Sequence, residues 1–150
     1  MKDFKESFLE KFSEIPLQFN NSNFVGCRRL STELISVADF VDFLDGVLIG
    51  EIFESVFMNL DEINDHYEIE KEELMELNEL INNILKLLNN SNLNINEKNK
   101  TKLYDLLKDV RGKVTRIQLS YLIIKKPKKE ESGVSLPFPQ GALKMLGRVP

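Results

Sequence analysis

Cysteine and histidine are nearly missing from this sequence of 150 residues, which contains one of each. A single cysteine, Cys27, cannot form a disulfide within the chain, so a secreted framework held by disulfides is excluded. A single histidine, His66, excludes any site that needs two imidazole groups. The sequence also lacks a glycine-rich phosphate loop and the spacing of a zinc site. We therefore expect no cofactor, and a non-enzymatic role is favoured over catalysis.

Proline is missing between Pro16 and Pro127, and glycine is scarce in the same stretch. Because proline in the interior of a helix costs about 3 kcal/mol, such a stretch permits long helices. Apolar residues recur there at helical spacing, whereas alternating runs of strand length are missing. The sequence therefore predicts an all-α fold, a helical bundle of about four principal helices.

Four segments make up the expected bundle. The first starts with Asp3 and Glu6 as a capping box and ends at Pro16, and residues 17–29 and 61–69 are expected to be loops or turns. A short polar link between the third and fourth helices predicts a long amphipathic hairpin. The expected helices span about Asp3–Phe12, Ser31–Leu60, Glu70–Asn89 and Glu97–Ile124.

The second expected helix is apolar on nearly every side, which is typical of a central, buried helix. Most phenylalanines precede residue 58, so we expect the first helix to pack against it. Gly46 and Gly50 lie four residues apart on one face of this segment. Two such glycines either permit the close approach of another helix or mark a break.

Charge is distributed unevenly along the chain, although the net charge is only −4. From Glu33 to Glu79 there are fifteen acidic residues and one lysine, whereas from Lys98 to Lys129 there are eleven basic residues and two acidic ones. Such an asymmetry indicates either an interaction surface or acidic and basic helices that lie side by side and neutralise each other.

No segment has the features of a signal peptide or a membrane span. The N-terminus is charged, and the most apolar stretch, Leu34–Phe57, contains five acidic residues. We therefore expect an intracellular protein, cytoplasmic in location, or nuclear if the source is eukaryotic.

Three aspartates recur at intervals of three on the expected second helix, at Asp39, Asp42 and Asp45. Carboxylates spaced in this way can hold Mg²⁺, which prefers oxygen ligands. The favoured interpretation is a polar stripe with no metal, and a Mg²⁺-dependent enzyme is the weaker alternative.

The fourth helix and the lysine tract after it form a candidate basic patch, which could bind a phosphate backbone without reading its sequence. Its members are Lys108, Arg111, Lys113, Arg116, Lys125, Lys126, Lys128 and Lys129. An isoelectric point near 5.2 argues against nucleic-acid binding as the main function. An accessory protein that contacts nucleic acid is therefore an alternative function.

The composition changes after residue 124. We expect a helical domain over residues 1–124, followed over 125–150 by a charged linker and an extended apolar segment that contains proline and glycine. Four apolar side chains of this segment are candidate partner-binding residues: Leu136, Phe138, Leu143 and Leu146. The sequence thus favours a small helical interaction subunit or adaptor whose partner is another protein, in a complex or a homo-oligomer.

Overall fold

The computed structural model describes residues 3–124, and every regular element in that range is helical. The elements are α1 (Phe4–Asn20), α2 (Phe24–Phe40), α3 (Leu44–His66), α4 (Lys71–Ser91) and α5 (Glu97–Leu119), followed by a π-helical segment, Ser120–Ile124. The predicted all-α fold is confirmed. The expected linker and C-terminal segment, residues 125–150, lie outside the described residues.

α1 begins at the predicted capping box of Asp3 and Glu6 and continues through Pro16. The prediction that Pro16 ends the first helix is therefore wrong. Proline removes one helical hydrogen bond, at a cost of about 3 kcal/mol. The last turn of α1 compensates by burying Phe19, whose ring centroid lies 5.6 Å from that of Phe24. Burial of one such side chain contributes about 1.5–3 kcal/mol.

The prediction of one continuous helix over Ser31–Leu60 is also wrong. The structure has two helices there, α2 and α3, which are joined by a three-residue turn at residues 41–43. Asp42 in this turn has a left-handed backbone with φ 58°. Aspartate adopts this conformation more readily than most residues other than glycine. α2 begins earlier than expected because the Asn23 side chain caps it and accepts a hydrogen bond from the Gly26 N–H at 3.0 Å.

Gly46 and Gly50 do not interrupt the helix α3, and they allow it to approach α2 closely. A Cβ atom on Gly46 would lie 2.9 Å from the Cβ of Ala38. A Cβ atom on Gly50 would lie 3.0 Å from the carbonyl oxygen of Ser31, a residue whose side chain is fully buried in α2. These separations are shorter than ordinary van der Waals contact, so the two glycines determine how closely α2 and α3 pack.

The main helix pairs follow a closed order, α1 on α2, α2 on α3, α3 on α5, α5 on α4, and α4 back on α1. Phenylalanine rings fill the space between α1 and α3, with the centroids of Phe12 and Phe53 5.4 Å apart. α3 and α5 run in the same direction, because Asp45 meets Tyr104 at one end and Tyr67 meets Tyr121 at the other. This order places α3 beside α5 although α4 separates them in the sequence.

None of the helices within residues 3–124 combines the length and the apolar character that a membrane span requires.

Candidate functional site

A groove lies on the surface between α3 and α5 and encloses about 450 Å³. Its apolar floor is formed by Leu48 and Ile52 of α3 and by Leu107 of α5. The remaining lining comes from α5: Tyr104, Lys108, Arg111, Gly112 and Thr115. We refer to this set of eight residues as the α3–α5 groove.

The spacing of the lining residues explains why they share one groove. Leu48 and Ile52 are four residues apart, which places them one above the other on a helix. Tyr104, Lys108, Arg111 and Thr115 follow each other at intervals of four, three and four, so they form a single stripe along α5. The stripe lies next to the buried face of α5. The polar ends of its side chains therefore border the apolar floor.

One end of the groove is fixed by a hydrogen bond between the two helices. The hydroxyl of Tyr104 donates to Oδ1 of Asp45 at 2.8 Å. This hydrogen bond raises the pKa of Tyr104 above its ordinary value, and partial burial and the negative charge of Asp45 act in the same direction. The contact holds α5 against the first turn of α3.

Apolar surface continues beyond this end of the groove. Leu44 lies one helical turn before Leu48, and its side chain is 75% exposed. Phe40, the last residue of α2, is 89% exposed. The two side chains flank the turn between α2 and α3. We refer to Phe40 and Leu44 as the apolar corner.

The charges that line the groove all have one sign. Lys108 and Arg111 contribute two cations, and the lining contains no carboxylate. Both side chains are exposed, and within residues 3–124 neither forms an ion pair. The groove therefore presents two cations without an ion-pair partner beside an apolar floor, although Lys108 also borders the groove between α4 and α5, whose lining contains acidic residues.

The opposite side of α5 faces α4 and has charges of both signs. There Nζ of Lys113 lies 2.6 Å from Oε1 of Glu76. The hydrogen bond from Lys113, together with the charge of its ammonium group, lowers the pKa of the Glu76 carboxyl. This second groove, of about 790 Å³, has four acidic and three basic residues in its lining: Glu76, Glu79, Asp105, Asp109, Lys108, Lys113 and Arg116. Acidic and basic helices do lie side by side here.

The predicted basic patch is divided between these two surfaces. Lys108 and Arg111 line the α3–α5 groove, whereas Lys113 and Arg116 line the groove between α4 and α5, and Lys108 borders both. The remaining four predicted members, Lys125, Lys126, Lys128 and Lys129, lie outside the described residues.

The three aspartates considered as weak metal candidates are distributed over three elements. Asp39 is in α2, Asp42 is in the turn, and Asp45 is in α3 with Tyr104 as its partner. The expectation that they share one helix is wrong because the helix ends at Phe40. Within the part of the chain that the structure describes, no three histidine, cysteine or acidic side chains are grouped as metal ligands.

Cys27 is fully buried in α2, and its Sγ donates to the carbonyl oxygen of Ile15 at 3.6 Å. Burial raises the pKa of its thiol to about 12. A thiol is nucleophilic as the thiolate, so Cys27 offers no reactive group in the folded protein.

The candidate partner-binding residues Leu136, Phe138, Leu143 and Leu146 also lie outside the described residues. The sequence does not predict the groove, because the floor residues Leu48 and Ile52 belong to a segment whose apolar pattern indicates a buried helix. The regular stripe from Tyr104 to Thr115 was the only local signal.

No family model matches this chain, and no curated protein or solved structure compared with it gives a match. Any inference about its function rests on its own side chains.

Proposed function

We propose that this chain is a non-enzymatic helical subunit or adaptor that binds another protein through the apolar corner and the α3–α5 groove. The observation that carries the proposal is the apolar corner, where Phe40 is 89% exposed and Leu44, four residues further along the chain, is 75% exposed. Large apolar side chains that adjoin an apolar groove mark interaction sites more often than isolated ones do. Aromatic residues are also enriched among those that dominate binding energy.

The proposal includes an architecture and a compartment. In this proposal the five helices form one bundle, α4 and α5 form an antiparallel hairpin, and the protein acts in the cytoplasm. The five-residue connection at 92–96 and the pairing of Glu76 with Lys113 support the hairpin. The apolar composition of residues 134–150 supports a second contact to the partner, through an extended C-terminal segment.

A co-purification experiment with matched variants tests the proposal. The full chain carries an affinity tag, and bound proteins are quantified by mass spectrometry for wild type, Phe40→Asp and Met75→Asp. Met75 is the control because it is 62% exposed on α4, away from the groove. We expect a partner whose recovery falls at least about tenfold with Phe40→Asp and is unchanged with Met75→Asp. Equal recovery with both variants would refute the apolar corner as the contact.

The C-terminal segment has its own test. Deletion of residues 132–150 should reduce recovery of the same partner and leave the melting temperature within a few degrees of wild type. A sharp fall in melting temperature would instead mean that the segment covers apolar surface of this chain, and a partner contact by Phe138 would be excluded.

Binding to nucleic acid is the second candidate function, and the exposure of Lys108, Arg111 and Arg116 favours it. Neutralising phosphates with these side chains would make the affinity fall linearly with the logarithm of the salt concentration. Titration of a labelled DNA duplex and a labelled single strand at several salt concentrations distinguishes the two functions. Salt-dependent binding that Phe40→Asp leaves unchanged would favour nucleic acid.

A further inference from the structure

Resting on the protein-binding function proposed above, we infer that the α3–α5 groove binds an amphipathic helix of the partner whose apolar face is flanked by aspartate or glutamate. The apolar floor of the groove specifies the apolar face of this helix, and the two cations Lys108 and Arg111 specify its acidic flanks.

The shape and the floor specify a helix. The stripe from Tyr104 to Thr115 extends for about 16 Å at 1.5 Å per residue. This length corresponds to roughly three turns of a bound helix. Helices dock in grooves of this kind with apolar side chains at intervals of three and four residues. Leu48, Ile52 and Leu107 provide the apolar contacts for such a series.

The rim specifies acidic residues. Lys108 and Arg111 follow each other on one side of the floor, and the lining has no carboxylate that could pair with them. Opposite charges across an interface raise the association rate and discriminate against wrong partners. The groove between α4 and α5 lacks this property, because acidic residues outnumber the bases in its lining.

Charge also argues against two other occupants. Residues 132–150 of this chain contain Lys144 and Arg148 and no acidic residue, so that segment would bring like charge to the rim. A second copy that docked through the same groove would bring its own Lys108 and Arg111 against those of the first. A partner with acidic residues is the occupant that the electrostatics favour.

Three labelled peptides test the inference directly. Each has roughly 18 residues, which is long enough to form a helix, and leucines at helical spacing. The flanking positions are glutamate in the first peptide, glutamine in the second and lysine in the third. Fluorescence anisotropy with the full chain should give an affinity for the glutamate peptide about tenfold above that for the glutamine peptide, since two ion pairs are gained. The lysine peptide should bind weakest.

Two pairs of variants locate the binding. Lys108→Gln with Arg111→Gln should remove the advantage of the glutamate peptide. Arg28→Gln with Arg29→Gln makes the same change in net charge at two exposed positions of α2 and should leave the advantage of the glutamate peptide intact. Thr115→Trp should block all three peptides, whereas Thr101→Trp, on the same helix but outside the groove, should not.

Several results would overturn the inference. Equal affinities for the glutamate and glutamine peptides would do so, as would equal losses in the two double variants. Tighter binding of the glutamate peptide after deletion of residues 132–150 would assign the groove to that segment. Dimers in sedimentation that Thr115→Trp abolishes would assign it to a second copy. Displacement of the glutamate peptide by a DNA duplex, with no effect of Thr115→Trp on duplex binding, would assign the two cations to nucleic acid.

The test also separates this inference from the proposed function. If co-purification depends on Phe40 while the Lys108→Gln, Arg111→Gln variant recovers the same partner in full, the protein-binding function stands and the acidic helix is refuted. Loss of recovery with both the Phe40 variant and the groove variant would support both.

Discussion

Replacing Gly50 with alanine tests whether α2 and α3 meet through their backbones. The new Cβ atom would lie 2.5 Å from Cγ1 of Ile35, 3.0 Å from the carbonyl oxygen of Ser31 and 3.2 Å from the backbone nitrogen of Ile35. The Ile35 side chain could adjust only within the few rotamers that a β-branched residue has in a helix. The two backbone atoms can move away only if α2 moves as a whole.

Two opposing effects determine the magnitude. Alanine is favoured over glycine in a helix interior by about 1 kcal/mol. Inserting a methyl group into a filled space costs about 1–3 kcal/mol, and the upper part of this range applies where backbone must shift. We therefore expect Gly50→Ala to lower the free energy of unfolding by about 1–2 kcal/mol. The melting temperature should fall by roughly 2–8 °C.

Gly112→Ala is the matched control, because it makes the same chemical change in the middle of another helix. A Cβ atom on Gly112 would meet only Nη1 of Arg116, at an ordinary contact distance of 3.5 Å. The intrinsic preference for alanine should therefore prevail, and this variant should gain up to about 1 kcal/mol. Urea denaturation at 25 °C, followed by circular dichroism, measures both variants. If Gly50→Ala is stabilised as much as Gly112→Ala, the new methyl group meets no resistance and the close packing of α2 on α3 is refuted.

Three further predictions follow from burial and charge. Because burial raises the pKa of the Cys27 thiol from 9.0 to about 12, only the unfolded chain ionises it above pH 9. The free energy of unfolding should then fall with rising pH, with a slope that approaches about 1.4 kcal/mol per unit. Denaturant titrations should show a smaller decline for Cys27→Ala, which keeps only the contribution of Tyr67 and Tyr104, whose pKa values the fold also raises. Ile81→Ala should cost about 2–5 kcal/mol in the same assay, whereas the exposed Met75→Ala should change little. Mg²⁺ at millimolar concentration should not raise the melting temperature, and an increase that Asp42→Asn abolishes would contradict this.

The segments of α4 and α5 are the part of the fold that the sequence predicts well. The third expected helix, Glu70–Asn89, corresponds to α4, and the start of the fourth at Glu97 coincides with that of α5. Leu77, Ile81 and Ile84 are buried as their spacing predicts. These helices bury one narrow stripe and are separated by a polar connection, so local periodicity contains most of the information that defines them.

The first half of the chain was predicted less well because its helices are closely packed and joined by short turns. The turn at residues 41–43 contains neither glycine nor proline, and its left-handed residue is Asp42. Apolar side chains precede and follow the turn, so the periodicity shows no gap. Sequence reasoning placed Phe40 and Leu44 in a buried central helix, whereas the break turns both of them to the surface.

The groove could not be predicted from any single segment, because it depends on the position of α3 beside α5. The two helices are separated in sequence by all of α4, and their contact follows from the closed packing order. A stripe that runs from Tyr104 to Thr115 is visible in the sequence. The apolar floor opposite the stripe becomes apparent only when Leu48 and Ile52 are placed against it.

The uneven distribution of charge is explained differently on the two sides of α5. Arg111 and Lys113 are two residues apart, so at 100° per residue they point to nearly opposite sides of the helix. Lys113 meets Glu76 on α4 and belongs to a surface that has charges of both signs. Arg111 borders Leu48 and Ile52, where α3 supplies no carboxylate to the lining. Neutralisation between helices therefore explains the charge on the side of α5 that faces α4. It does not explain the charge of Arg111 on the other side. The interaction surface, if the acidic peptide binds as proposed, is this second side.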